Sequence, residues 1–117
     1  HYGVDFAANY GTPVQAASDG AITYAGYQDG FGNVIKLKFN NVYSTLYGHL
    51  SKFASSIHVG EHVKEGTVIG YVGNTGLATG SHLHYEVHVN NIPQNPETVS
   101  LPNGHPLAAN LIHHFRT

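Results

Sequence analysis

The amino-acid sequence predicts an all-β fold built on an antiparallel sheet. Short stretches rich in β-branched and aromatic residues recur along the chain, and turns rich in glycine separate them. No helical periodicity is sustained before the last dozen residues. Strands that follow one another closely, without intervening helices, are typical of antiparallel all-β domains. With 117 residues, the chain is long enough for one domain with a hydrophobic core of its own.

The predicted strands occupy most of the chain up to residue 89. They comprise residues 2–8, 14–17, 21–25, 34–39, 42–46, 59–63, 67–72 and 81–89. Between the third and fourth of these strands, residues 26–33 form a predicted glycine-rich loop. Asn40 and Asn41 are predicted to form a two-residue hairpin turn between the fourth and fifth strands.

The C-terminal part of the chain has a different character. Regular structure is interrupted there by Pro93, Pro96, Pro102 and Pro106. Only residues 107–115 are suited to a short helix. We therefore expect a single domain over residues 1–117, with a core of residues 1–96 and an irregular tail of residues 97–117. Because the first residue is a histidine rather than a methionine, we interpret the chain as a fragment of a longer precursor.

The composition excludes several classes of function. The net charge is −2 and only 10% of the residues are charged, which argues against a nucleic-acid partner and against a polybasic membrane-binding segment. No apolar run approaches the roughly 20 residues that a transmembrane helix needs. The absence of cysteine excludes disulfide bonds and thiolate metal sites. The ten histidines are the one unusual feature of the composition.

Two of these histidines lie in the most regular stretch of the chain, residues 81–89. Polar and apolar residues alternate there, so in a strand His82, His84 and Glu86 share one face. Neutral imidazole is the commonest protein ligand for zinc, and two rings on one rigid strand are suited to a metal site. Taken alone, the pattern fits equally well with two partly exposed histidines on a solvated strand face.

Other residues are candidates to complete a metal site. His1 and Asp5 are four residues apart, a spacing that places both side chains on one face of either a strand or a helix. One carboxylate and two imidazoles would give the three-ligand arrangement of a catalytic zinc. The spare imidazole among His82, His84 and the distant His49 would then be available for proton transfer.

Four stretches of the chain, in this order, resemble the motifs of the lysostaphin-type, or LytM-type, zinc endopeptidases of bacterial cell walls. They are His1-Tyr2-Gly3-Val4-Asp5-Phe6-Ala7, Gly11-Thr12-Pro13-Val14-Gln15-Ala16, Tyr47-Gly48-His49-Leu50 and Thr79-Gly80-Ser81-His82-Leu83-His84-Tyr85-Glu86. The resemblance implies a zinc peptidase domain, an antiparallel β-fold whose central groove holds one zinc ion. It implies His1, Asp5 and His84 as the metal ligands.

The same resemblance implies that His49 and His82 are the two catalytic histidines beside the metal. One would orient or deprotonate the attacking water, and the other would donate a hydrogen bond to the tetrahedral oxyanion. Glu86 is a further candidate, since it could accept the second ring proton of a ligand histidine and fix its tautomer. The remaining histidines match no motif of the family and are expected at the surface: His58, His62, His88, His105, His113 and His114.

The substrate is expected to be peptidoglycan, in its cross-link or stem peptides. Residues 96–106 look similar to the tail of Gram-negative periplasmic members that cut the bond between D-alanine and meso-diaminopimelate, which favours a D,D-endopeptidase. The alternatives are a glycyl-glycine endopeptidase of the same family and an inactive wall-binding activator of amidases. The resemblance also implies a periplasmic, envelope or secreted location, and an inhibitory N-terminal region in the precursor as a partner of the groove.

Overall fold

Nine β-strands form one antiparallel sheet in the computed structural model, which describes residues 3–76 and 78–95. The strands are β1 (Val4–Ala7), β2 (Pro13–Gln15), β3 (Gly20–Gln28), β4 (Gly32–Phe39), β5 (Tyr43–Phe53), β6 (His62–Val63), β7 (Val68–Val72), β8 (His82–Val89) and β9 (Ile92–Gln94). The predicted antiparallel all-β fold is therefore confirmed. No helix among these residues is long and apolar enough to cross a bilayer.

The sheet is organised around β5 and β8. The main strand order is β1-β8-β5-β4-β3-β6, while β9 also pairs with β8 and β7 pairs with both β5 and β2. The first half of β5 pairs with β8 up to residue 48, and its second half pairs with β7 from residue 50 onward. β5 therefore changes its partner strand close to His49, the predicted catalytic histidine of the third motif.

A β-bulge in β5 produces this change of partner. Tyr47 lies opposite Ile35 of β4 and Leu50 lies opposite Asn33, so three steps on β5 match two on β4. The extra residue falls at His49, whose φ of 61° lies in the left-handed region. A bulge bends its strand and redirects a side chain, which is why bulges are common beside active sites.

The core lies on the face of the sheet that the alternation in β8 predicts. Leu83, Tyr85 and Val87 are fully buried, whereas His82, His84 and Glu86 are only half-buried on the opposite face. Across the core, Tyr47 packs against Tyr85 with their ring centroids 5.4 Å apart. The predicted division of β8 into a core face and a polar face is confirmed.

Several predicted strand boundaries are wrong. The fifth strand does not end near Leu46 but continues to Phe53, because the bulge lets it find a new partner in β7. β3 and β4 extend into the predicted loop and leave only residues 29–31 between them. The hairpin turn that follows β4 has three residues, 40–42, because Phe39 pairs with Tyr43.

Two further differences concern short strands. β6 is restricted to His62–Val63, because only these two residues of the predicted segment pair with β3. β9 was not predicted, since Pro93 argues against a central strand; as an edge strand paired only with β8, β9 tolerates a proline. The predicted tail of residues 97–117, with its short helix, lies outside the described residues.

Candidate active site

Strands β1, β5 and β8 bring four predicted site residues together. Asp5 of β1 lies directly opposite His84 of β8. The ring of His49, from the bulge in β5, lies 4.7 Å from the ring of His82 and 5.9 Å from that of His84, measured between centroids. His1, the remaining predicted metal ligand, lies outside the described residues, so its place in the site stays a prediction.

The ring of His84 is held between two neighbours. Phe31 stacks on it, with the ring centroids 5.4 Å apart and the planes 26° from parallel. The backbone of Gly3 also approaches the ring, and a Cβ atom at this position would lie 2.6 Å from Nε2 of His84. Only glycine leaves room there for the imidazole. Packing therefore fixes the orientation of this ring.

Both nitrogens of the same ring lie within hydrogen-bond distance of a carboxylate. His84 Nε2 lies 2.8 Å from Oε2 of Glu86. Because a carboxylate only accepts hydrogen bonds, Nε2 carries the proton and donates it. The other ring nitrogen, Nδ1, lies 2.8 Å from Oδ1 of Asp5. The hydrogen bond to Glu86 raises the pKa of His84, with Asp5 adding to the rise and burial opposing it.

Glu86 links His84 to a second imidazole. Its Oε1 accepts a hydrogen bond of 2.8 Å from Nε2 of His88. These contacts, with the bond from His84 as the largest cause, lower the pKa of Glu86 to about 2. Glu86 is therefore an ionised carboxylate with both oxygens engaged. The prediction of His88 as a plain surface residue misses this contact, which the i, i+2 spacing on one strand face could have indicated.

His49 is oriented by two backbone carbonyls. Its ring Nδ1 lies 2.7 Å from the carbonyl oxygen of Thr75, and its backbone N–H donates to Phe31 over 2.7 Å. A carbonyl only accepts, so Nδ1 carries the ring proton and Nε2 of the neutral ring is the proton acceptor. The residue is only 8% exposed. Burial lowers the pKa of His49 and favours this neutral form, although the bond to Thr75 opposes the shift.

His82 has the same tautomer. Its Nδ1 lies 2.9 Å from the carbonyl oxygen of Gly80 and donates to it. Its Nε2 lies 3.6 Å from Oδ1 of Asp5, so this nitrogen is turned toward the predicted metal ligands. The two histidines predicted as catalytic therefore each commit Nδ1 to a backbone carbonyl and keep Nε2 for the site.

The donors of this site suit a zinc ion. With its proton on Nε2, a neutral His84 points the lone pair of Nδ1 at the carboxylate of Asp5. Two electron-rich atoms 2.8 Å apart are stable only with a shared cation, either a second proton or a metal ion. Carboxylate oxygen and imidazole nitrogen are both ordinary zinc ligands. Within residues 3–76 and 78–95, no group of three or more potential ligands forms a complete metal site.

Sequence reasoning did not identify the residues that position the histidines. Thr75 acts through its backbone carbonyl, so its side-chain type carries no signal of this role. Phe31 lies within the predicted glycine-rich loop and Gly3 within the first motif, and neither position predicts a contact with His84. Their roles depend on the close approach of segments that are far apart in sequence.

Comparisons with known proteins agree with this geometry. The sequence profile of Peptidase family M23 matches residues 1–96. The chain is 48% identical over 102 residues to the DD-carboxypeptidase/endopeptidase Mpg of Neisseria meningitidis, covering 87% of this chain and 23% of Mpg. It is 46% identical over 104 residues to the glycyl-glycine endopeptidase ALE-1 of Staphylococcus capitis, covering 87% of this chain and 28% of ALE-1.

A solved structure shares the fold. The crystal structure of a zinc containing peptidase from Vibrio cholerae superposes with a TM-score of 0.81 at 39% identity, covering 87% of this chain and 31% of that one. The chain therefore spans about a quarter to a third of the length of these relatives.

Proposed function

The chain belongs to Peptidase family M23, and on this premise we propose that it is a zinc endopeptidase that hydrolyses peptide cross-links of bacterial peptidoglycan. The bond we assign is that between D-alanine and meso-diaminopimelate. The likeness to Mpg supports this choice, because Mpg is a DD-carboxypeptidase/endopeptidase. The location we assign is the cell envelope, periplasmic or secreted, where this substrate is found.

We assign the metal to Asp5, His84 and His1. When bound, a zinc ion supplies two effects: it makes water a nucleophile near neutral pH, and it polarises the scissile carbonyl. Glu86 holds the proton of His84 on Nε2, which keeps Nδ1 as the nitrogen directed at the metal. Phe31 and Gly3 keep the ring in the orientation that this role requires.

His49 and His82 transfer protons in this proposal. Both rings donate Nδ1–H to the backbone, so both accept a proton at Nε2. We assign the abstraction of the water proton to His49, because its ring is buried in the neutral form. An imidazole that has gained a proton becomes a donor, so the same ring can then return it to the leaving amine. The ring of His82 on β8 also faces the reacting groups, and its Nε2 is the second nitrogen that can accept a proton.

The observation that carries the proposal is the meeting of Asp5 and His84 with His49 and His82 on one side of the sheet. Point variants separate the two pairs. We expect His84→Ala to lose zinc, measured by metal analysis, and His49→Ala to keep zinc but lose turnover. A His58→Ala variant is the matched control, since this exposed side chain contacts Glu61 outside the site. Loss of zinc in the His49 variant, or turnover in it, would contradict the assignment.

The choice of substrate needs a separate measurement. Purified cross-linked muropeptide dimers and a pentaglycine peptide are each incubated with the zinc-loaded protein. We expect monomers from the dimers and no cleavage of pentaglycine. The likeness to ALE-1 favours a glycyl-glycine endopeptidase as the second candidate, and cleavage of pentaglycine alone would establish it. An inactive activator of amidases would cleave neither.

A further inference from the structure

The polar face of β8 continues beyond the proposed metal ligand on this strand. His84, Glu86 and His88 alternate with buried residues, so their side chains point to the same side of the sheet. Nε2 of His84 lies 2.8 Å from Oε2 of Glu86, and Nε2 of His88 lies 2.8 Å from Oε1 of the same carboxylate. Glu86 is therefore held on both oxygens, by the proposed metal ligand on one side and by a histidine outside the site on the other.

A glutamate side chain does not fix the orientation of its own carboxylate, because its terminal torsion is broad and roughly two-fold. Each oxygen of Glu86 accepts a hydrogen bond from a different imidazole. Rotation of the carboxylate away from His84 would therefore also break the bond from His88. The donor on His88 opposes that rotation.

The backbone supports His88 more fully than it supports Glu86. His88 has a paired residue on each side, Ser44 on β5 and Pro93 on β9. Glu86 is paired with Leu46 on β5, but on the other edge of β8 the pairs with β1 end before it and those with β9 begin after it. His88 is thus the better anchored end of the contact, and strand β9 provides part of that anchor.

Water competes only partly for this contact. The side chains of His88 and Glu86 are 28% and 19% exposed. In a second histidine–glutamate pair, His58 and Glu61 lie 3.2 Å apart, and their side chains are 71% and 38% exposed. A hydrogen bond to an ionised group is stronger where solvent is partly excluded, whereas an exposed ion pair contributes little. The pair on β8 therefore restrains its carboxylate more than the exposed pair does.

We propose that His88 is a positioning residue for the metal ligand His84 and acts through Glu86. The inference rests on the proposed function, in which Nδ1 of His84 is directed at zinc while Glu86 holds the proton on Nε2. His88 holds the carboxylate of Glu86 in place, and the carboxylate in turn holds the tautomer and the ring of His84. A histidine that matches no motif of the family thereby contributes to the metal site without touching the metal.

Removal of the donor tests this series of contacts. In His88→Leu, Oε1 of Glu86 loses its imidazole donor while the bond from His84 can still form. We therefore expect zinc affinity to fall roughly 3- to 10-fold, less than the roughly 10- to 100-fold effect of losing a direct partner of a ligand. His88→Gln supplies an amide N–H in place of the imidazole N–H, so we expect it to keep zinc affinity within about twofold. Competition with a chelator measures both variants.

Two controls separate positioning from a general loss of structure. His58→Leu removes the exposed histidine–glutamate pair and should leave zinc affinity unchanged. In a Glu86→Ala background, His88→Leu should cause no further loss, because the effects of residues that act through one contact are not additive. A role of His88 in the fold alone would give the same loss with and without Glu86.

A spectroscopic measurement tests the contact without any substitution. In isotope-labelled, zinc-loaded protein, the NMR chemical shifts of the ring nitrogens report which of them carries a proton. We expect a proton on Nε2 of both His84 and His88. An unprotonated Nε2 on His88 would overturn the inference, because that nitrogen could not donate to Glu86. This measurement decides the question even where His88→Leu does not fold.

The outcomes separate this inference from the proposed function. If the unmodified protein does not bind zinc, both fail together. If it binds zinc, and His88→Leu binds it as tightly while Glu86→Ala is weakened, the proposed function stands and His88 has no positioning role. An equal loss in His88→Leu and His88→Gln would also overturn the inference, because the expected rescue depends on the donor.

Discussion

Two buried tyrosines that touch each other provide a sharp test of how the core is stabilised. Tyr47 and Tyr85 are both fully buried, but their hydroxyl groups differ. The hydroxyl of Tyr47 accepts hydrogen bonds from the Thr45 hydroxyl over 2.8 Å and from the backbone N–H of Ala17 over 3.0 Å. The hydroxyl of Tyr85 is buried without a hydrogen-bond partner among the described residues.

The same substitution should therefore have different effects at the two positions. Tyr85→Phe removes a polar group that was taken out of water without compensation, a cost of roughly 1–3 kcal/mol. We expect the free energy of unfolding to stay constant or to rise by about 1–2 kcal/mol. Tyr47→Phe removes the acceptor of two buried hydrogen bonds, including that of the buried Thr45 hydroxyl, and we expect a loss of roughly 1–3 kcal/mol.

Urea denaturation followed by circular dichroism measures both variants, and equal m values would show that the same surface is exposed on unfolding. Zinc content is measured in parallel, because both tyrosines lie outside the site and neither variant should change it. A loss of stability in Tyr85→Phe as large as that in Tyr47→Phe would refute the reasoning. It would mean that the Tyr85 hydroxyl is hydrogen-bonded after all.

Three further predictions follow from the same contacts. Glu86→Gln should lower zinc affinity roughly 10- to 100-fold, because an amide no longer holds the proton on Nε2 of His84 as a carboxylate does. Competition with a chelator measures this affinity, and an unchanged value would remove Glu86 from the site. Gly3→Ala should also weaken zinc binding, because its Cβ displaces the His84 ring, while the fold measured by circular dichroism stays intact. Stability should fall above pH 10, because burial raises the pKa of Tyr47 to about 12 and that of Tyr85 well above 10, so the unfolded chain loses these protons first. The expected slope is about 1.4 kcal/mol per pH unit for each tyrosine, and a stability that is constant between pH 10 and 12 would contradict it.

The alternation of residues in β8 carried most of what the sequence could predict about the site. A period of two fixes which side chains share a face, so His82, His84 and Glu86 could be placed together without knowing any other strand. The pairing of Asp5 with His84 depends on register between β1 and β8, which are 79 residues apart at this contact. The residues alone predicted Asp5 only as a candidate for the same metal site, and the resemblance to a known family selected it as a ligand together with His84.

Features that depend on backbone geometry were not predictable in the same way. The edge strand β9 was missed because a proline argues against a strand unless its position in the sheet is known. The contact of His49 with Thr75 uses a carbonyl group, which every residue possesses. The contact of His88 with Glu86 was missed because a histidine without a motif is most simply interpreted as exposed.

The bulge at His49 shows why the fold and the site cannot be separated. A histidine with φ of 61° is strained, at a cost of about 1–3 kcal/mol, and the surrounding structure must compensate for it. Here the compensation comes from the hydrogen bonds to Phe31 and Thr75, which hold the backbone and the ring of the same residue. A regular strand would avoid the strain, but it would leave β5 paired without interruption and would not turn this ring toward His82 and His84. The strained backbone is therefore the structural condition under which a third imidazole reaches the two on β8.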